Sequence, residues 1–171
     1  MTGVQKNLGP AGVVLVVAKK ELLAKSPETL PTMFRYSTFL KKDSLYNTPP
    51  AFCIYMVGKV AAWIKAQGGL AEMEKRNKKK AALLYDAIDN SNGFYRGHAD
   101  KDSRSFMNVT FRLPNEELEA KFVAEALANG LSGVKGHRSV GGMRASIYNA
   151  MPYEGALKLA EFMDKFRQAN A

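Results

Sequence analysis

The chain reads as an α+β or α/β fold on three observations. From about residue 70 onward the pattern runs helix, strand, helix, strand, helix, which gives a small antiparallel or mixed sheet flanked by helices. Two segments, Phe106–Arg112 and Met143–Tyr148, alternate apolar and polar side chains with the period of a half-buried strand. Near the start, the β-branched run Val13–Ala18 follows a Gly/Pro turn and reads as a strand buried on both faces.

Taken in order, Lys19–Leu23 forms a short helical turn after that first strand. Ser26 to Thr48 holds no sustained period and carries Pro27 and Pro31, so it reads as a long connection of the kind that is functional or crosses between subunits. Asn47-Thr48-Pro49-Pro50 then starts a helix that runs to about Gln67 and stops at Gly68-Gly69. Phe52, Ile54, Met56, Val57, Val60, Trp63 and Ile64 leave that helix apolar nearly all round, so it is expected deep in a core or at an interface. A more polar helix covers Leu70 to about Ile88 and ends in the turn residues Asp89–Gly93. In Phe106–Arg112, Met107, Val109 and Phe111 face one way and Asn108, Thr110 and Arg112 the other. Pro114-Asn115-Glu116-Glu117 opens the next helix, with acids near its positive end, and Asn129-Gly130 closes it. Gly141-Gly142 makes a turn, Arg144, Ser146 and Tyr148 share one face of the last strand, and Pro152 leads into a final helix with a Leu159, Met163, Phe166 stripe.

At 171 residues the chain suits one domain, or one domain plus part of another. Its apolar share of 46% and charged share of 24% argue against disorder. The one cysteine, Cys53, cannot form an internal disulfide; it reads as a buried, inert thiol and suits a reducing cytoplasm. His98 and His137 are the only histidines and no Cys/His cluster has zinc spacing, so no metal is expected. No signal peptide is evident, and the longest apolar stretch, Ala51 to Ile64, is broken by Lys59 and too short for a bilayer, so no membrane partner is expected. The net charge of +9 is concentrated in Lys75–Lys80, within a helical pattern, and reads as a solvated helix face; a nucleic-acid partner has no other support and is not expected.

Three clusters are candidates for chemistry. Gln5-Lys6 precedes the turn Asn7-Leu8-Gly9-Pro10-Ala11-Gly12, at the edge of the first strand. A lysine at such a rim suits a Schiff-base role, which needs a neutral amine; the alternative is a terminal lysine in solvent. At Asn47-Thr48-Pro49-Pro50 an amide, a hydroxyl and a helix N-terminus converge, which suits a phosphate or, equally, an ordinary capped helix. In Gly136–Ser146, His137, Arg138 and Arg144 supply anion donors among glycines that permit close backbone approach; the alternative is arginines on an edge strand.

In this order the clusters resemble the phosphoserine aminotransferase family. Gln5–Gly12, Tyr46–Pro50 and Lys135–Arg138 through Gly141–Pro152 carry the resemblance, with Gly68–Met73 and Met107–Val109 between them, so that it covers essentially the whole chain. The resemblance implies a pyridoxal 5'-phosphate enzyme of the aspartate aminotransferase-like fold, cytoplasmic and homodimeric. It would interconvert phosphoserine plus 2-oxoglutarate with 3-phosphohydroxypyruvate plus glutamate, in serine and, through a phosphorylated hydroxythreonine, pyridoxine biosynthesis. Lys6 would be the Schiff-base lysine and proton shuttle, Gln5 a contact of the cofactor phosphate, and Asn47 and Thr48 would reach the phosphate of the neighbouring subunit's cofactor. Arg144 would grip the substrate α-carboxylate, and His137 and Arg138 the distal phosphate or carboxylate. Residues 1–68 would end the large cofactor-binding domain and 69–171 form the small C-terminal domain. Family members are longer, with the cofactor-stacking aromatic and the acid that pairs with the pyridine nitrogen ahead of this lysine; the chain is therefore expected to be a truncated portion, inactive alone. A folded module that works only by association is the alternative.

Overall fold

A computed structural model describes residues 1–171, which divide into two compact units, Met1–Ala66 and Gln67–Ala171.

In the first unit, β1 (Thr2–Gly3) and β2 (Val14–Leu15) pair antiparallel, Thr2 opposite Leu15 and Gly3 opposite Val14. Helix α1 (Lys20–Ala24), a helical turn at Thr32–Phe34 and α2 (Tyr36–Leu40) follow. The connection after Ser26 thus holds two short helical pieces where no period is visible. Helix α3 (Ala51–Ala66) ends the unit.

Two expectations fail here for one physical reason. Val14, Leu15, Val16 and Val17 are exposed, Val17 to 92%, where a strand buried on both faces was expected. In α3 only Ile64 is buried, and Phe52 is 70% exposed. A β-branched run reports that a segment is suited to burial; burial itself requires a layer on each face, and a two-residue ribbon supplies none. Of the two places proposed for α3, the core of this chain is excluded. Cys53 is likewise half-buried rather than buried, its thiol donating to Ala11 O at 3.3 Å.

In the second unit, α4 (Gly69–Asp89), β3 (Arg96–Gly97), β4 (Asn108–Arg112), α5 (Glu116–Ala128), β5 (Met143–Ser146) and α6 (Tyr153–Asn170) follow in order. The sheet order is β3-β4-β5, antiparallel throughout, with Phe111 opposite Met143 and Thr110 opposite Arg144. Alternation decides what each face does. Val109, Phe111, Met143 and Ala145 join Leu84 and Ile88 of α4, Phe122 and Ala126 of α5, and Leu159, Met163 and Phe166 of α6 in one buried core. The intervening residues Asn108, Thr110, Arg112, Arg144 and Ser146 lie on the other face, only partly covered. Helix α5 starts where its sequence says: Asn115 Oδ1 accepts from the N–H of Leu118 at 2.9 Å, with Glu116, Glu117 and Glu119 in the first turn.

Candidate active site

The candidate residues fall into two groups, one in each unit. In the first unit, the Lys6 turn is fixed at its base by Val4, which is fully buried. The Val4 N–H donates to Val13 O at 3.2 Å, and its carbonyl accepts from Leu8 N at 3.1 Å and Gly9 N at 3.0 Å. One residue thus ties the turn to the β2 strand and closes it. Gln5 and Lys6 follow immediately and are both exposed, so the side chain of Lys6 is presented from a short, doubly anchored turn.

Asn47 and Thr48 are also exposed, but the structure corrects their expected capping role. Helix α3 begins at Ala51, whose N–H donates to Pro49 O at 2.8 Å, and Asn47 Nδ2 donates to Thr48 O at 3.1 Å. The two prolines start the helix later than an Asn47 or Thr48 cap would, because a proline disfavours the helical conformation in the residue before it, here Thr48 and Pro49, and Pro50 O accepts the first helical bond, from Ile54 N at 3.1 Å.

The second group lies on the polar face of the β3-β4-β5 sheet. A cleft of about 520 Å³ opens there, and His98, Thr110, Arg112, His137 and Arg144 supply its polar lining. Arg144 enters it from β5, opposite Thr110. Its Nε is shielded from solvent and has no hydrogen-bond partner, so the cleft lacks an acceptor at that point. A carboxylate or phosphate oxygen is the chemistry that answers a guanidinium in this state.

His137 sits on the loop between the Lys135–Met143 bridge, which is closed by Gly136 N donating to Gly142 O at 2.7 Å. The Ser139 N–H donates to His137 Nδ1 at 3.3 Å, and Ser139 Oγ lies 2.7 Å from the same nitrogen. An Nδ1 that accepts leaves Nε2–H as the donor the ring can offer a ligand. Gly142 makes the loop possible: its φ is 66°, and a Cβ there would lie 2.9 Å from Phe111 O. Arg138 is on the same loop but exposed, and does not line the cleft. Of the expected substrate residues, His137 and Arg144 therefore share a cleft and Arg138 stands beside it.

A model of the family "Aminotransferase class-V" matches residues 1–159. The chain belongs to the class-V aminotransferases. Among its relatives, the phosphoserine aminotransferase of Niallia circulans is 58% identical over 167 residues, covering 98% of this chain and 46% of that protein. That of Herpetosiphon aurantiacus is 60% identical over 164 residues, 96% of this chain and 46% of the relative. The solved phosphoserine aminotransferase from Bacillus circulans subsp. alkalophilus superposes with a TM-score of 0.95 at 57% identity, over 99% of this chain and 47% of that one. The pyridoxal-phosphate-bound phosphoserine aminotransferase from Trichomonas vaginalis gives 0.88 at 38% identity, over 95% of this chain and 46% of that one. This class-V aminotransferase chain thus spans under half the length of the relatives it matches.

Sequence reasoning missed three lining residues of this class-V aminotransferase chain: His98, Thr110 and Arg112. The alternation of β4 already puts Thr110 and Arg112 on the face that Arg144 and Ser146 occupy on β5, so a paired reading of the two strands could have found them. His98 carried no local signal. It reaches the cleft because its N–H donates to Thr110 O at 3.4 Å, extending the β3–β4 pairing by one residue.

Proposed function

We propose that the chain supplies the cofactor-anchoring lysine and the substrate-anion residues of a phosphoserine aminotransferase that uses pyridoxal phosphate. The observation that carries this reading is the 58% identity to a phosphoserine aminotransferase over 98% of the chain. The residues present suit the cofactor. Lys6 offers an exposed primary amine on an anchored turn, with the amides and hydroxyl of Gln5, Asn47 and Thr48 exposed in the same unit. When bound, pyridoxal phosphate supplies an aldehyde for amine exchange and a ring that accepts the electron pair left when the substrate Cα loses its proton.

Each of the chain's residues then has a defined task. Lys6 would hold the cofactor through Nζ and, as a neutral amine, would take the proton from the substrate Cα. Gln5, Asn47 and Thr48 bind phosphate oxygens, Asn47 and Thr48 for the neighbouring subunit of a homodimer. Arg144 binds the substrate α-carboxylate with its planar fork, answering its unpartnered Nε. His137 and Arg138 bind the distal anion, the phosphate of phosphoserine or the second carboxylate of glutamate. Two separate side-chain donors serve both anions because neither demands one fixed geometry. In this reading residues 1–68 end the large cofactor-binding domain and 69–171 form the small domain. The enzyme works in a reducing cytoplasm, in serine biosynthesis and, through phosphorylated hydroxythreonine, in pyridoxine biosynthesis.

Discrimination between phosphoserine and serine tests this assignment, because only the distal anion differs. Calorimetric titration of the chain is expected to give phosphoserine an affinity about a hundredfold above that of serine, the worth of two charge-assisted hydrogen bonds. The double variant His137→Ala, Arg138→Ala is expected to erase the preference. Equal affinities in the unaltered chain would remove the distal-anion role of both residues.

A further inference from the structure

We infer that Arg112 is a positioning residue that fixes the His137–Arg138 loop against the sheet. This inference rests on the reading of that loop as the holder of the substrate's distal anion.

Within the loop, the bonds are local. Val140 N and Gly141 N both donate to His137 O, at 2.9 and 2.7 Å, and the His137 ring is bonded only to Ser139. The Lys135–Met143 bridge holds the base of the loop on β5, and these bonds shape its tip without tying that tip to the sheet. Arg112, on β4, supplies the link to the sheet. Its Nη1 donates to Val140 O at 3.0 Å, and its Nε lies 2.9 Å from Glu119 Oε1.

The Glu119 side chain is 12% exposed and also accepts from the Leu113 N–H at 3.4 Å, so the carboxylate is held in place by the start of α5 and the end of β4. The planar guanidinium therefore spans a fixed carboxylate on one edge and a loop carbonyl on the other, a geometry that a lysine point charge cannot reproduce in full. The loop is cut to receive it. A Cβ on Gly141 would lie 2.6 Å from Arg112 Nη1, and one on Gly142 2.5 Å from Arg112 Cδ. The same cleft contains His137 and Arg144, so a shift of the loop changes the distance between the two anion grips. Arg112 is itself committed to Glu119 and Val140 and acts on substrate through the loop.

The test uses the whole chain, isotopically labelled, unaltered and as Arg112→Met and Arg112→Lys. Two quantities are read by NMR: the backbone order of Ser139–Gly141, and the dissociation constant of phosphoserine followed on the His137 ring, one of only two imidazoles in the chain. Arg112→Met is expected to loosen the three loop amides and raise the dissociation constant about tenfold, the worth of one charge-assisted hydrogen bond. Arg112→Lys is expected to recover part of both, while amides of α4 and α6 keep their order. Loop amides as rigid in Arg112→Met as in the unaltered chain, or an unchanged affinity, would overturn the inference and leave the substrate reading standing. A His137 ring in the unaltered chain that ignores phosphoserine would overturn the substrate reading, and this inference with it.

Discussion

Replacement of Phe122 by alanine is expected to destabilise the second unit by about 3–5 kcal/mol. Phe122 is fully buried on α5. Its ring centroid lies 5.0 Å from those of Phe162 and Phe166, 5.8 Å from Phe111 and 6.2 Å from Tyr95, mostly edge to face. The ring joins α5, α6, the central strand β4 and the segment that enters β3, so its removal opens a hole bordered by four elements. Aromatic neighbours are rigid and cannot collapse into such a space, which places the cost at the upper end for core truncations. A loss of that size is a large part of the stability of an ordinary domain. Urea unfolding followed by circular dichroism measures it as a lower midpoint with an unchanged slope. A loss below about 1 kcal/mol, the ordinary effect of a single substitution, would show that the unit is not organised around this ring.

The second large effect is expected at Lys80. This residue of α4 is only 2% exposed, and its Nζ donates to Ile147 O at 3.2 Å, Tyr148 O at 2.8 Å and Met151 O at 2.9 Å. An ammonium has three donors, and all are used. Burial pulls the lysine below its ordinary pKa, and the three carbonyls oppose that by solvating the cation. Asn77, one turn earlier, donates from Nδ2 to Asn149 Oδ1 at 2.8 Å, so one face of α4 clasps the whole passage from β5 into α6. Lys80→Met keeps an unbranched apolar stem in place of the side chain but leaves three carbonyls without their donor. It is expected to cost about 3 kcal/mol, measured by the same unfolding experiment. A neutral result would mean that water enters and replaces the ammonium, and that the clasp contributes little.

The second unit was far more legible in the sequence than the first, and the reason is physical. In β4 and β5 the alternation records a core on one side and an open face on the other, and both are built from this chain, so Val109, Phe111, Met143 and Ala145 are buried as read. Asn115 and Gly130 mark the ends of α5 by local bonding and backbone freedom, which sequence carries directly. The Val13–Val17 run and the apolar α3 announce burial equally clearly, but what covers an apolar face is not encoded in the face. Strand β3 is two residues long, too short to show any period. At the candidate site, residue type alone singled out Lys6, His137, Arg138 and Arg144. The Arg112 link between Glu119 and Val140 stayed hidden because its partners are distant in sequence and one of them is a backbone carbonyl, which no side-chain motif can reveal.

The proposed function rests above all on Lys6. Its direct test is to add pyridoxal phosphate to the purified chain, reduce with borohydride and map the labelled peptides. A stoichiometric pyridoxyl label on Lys6 in preference to every other lysine is expected, with loss of that label in Lys6→Ala. Label scattered over exposed lysines such as Lys75 and Lys79, or absent altogether, would contradict it and leave this chain a folded module that acts by association.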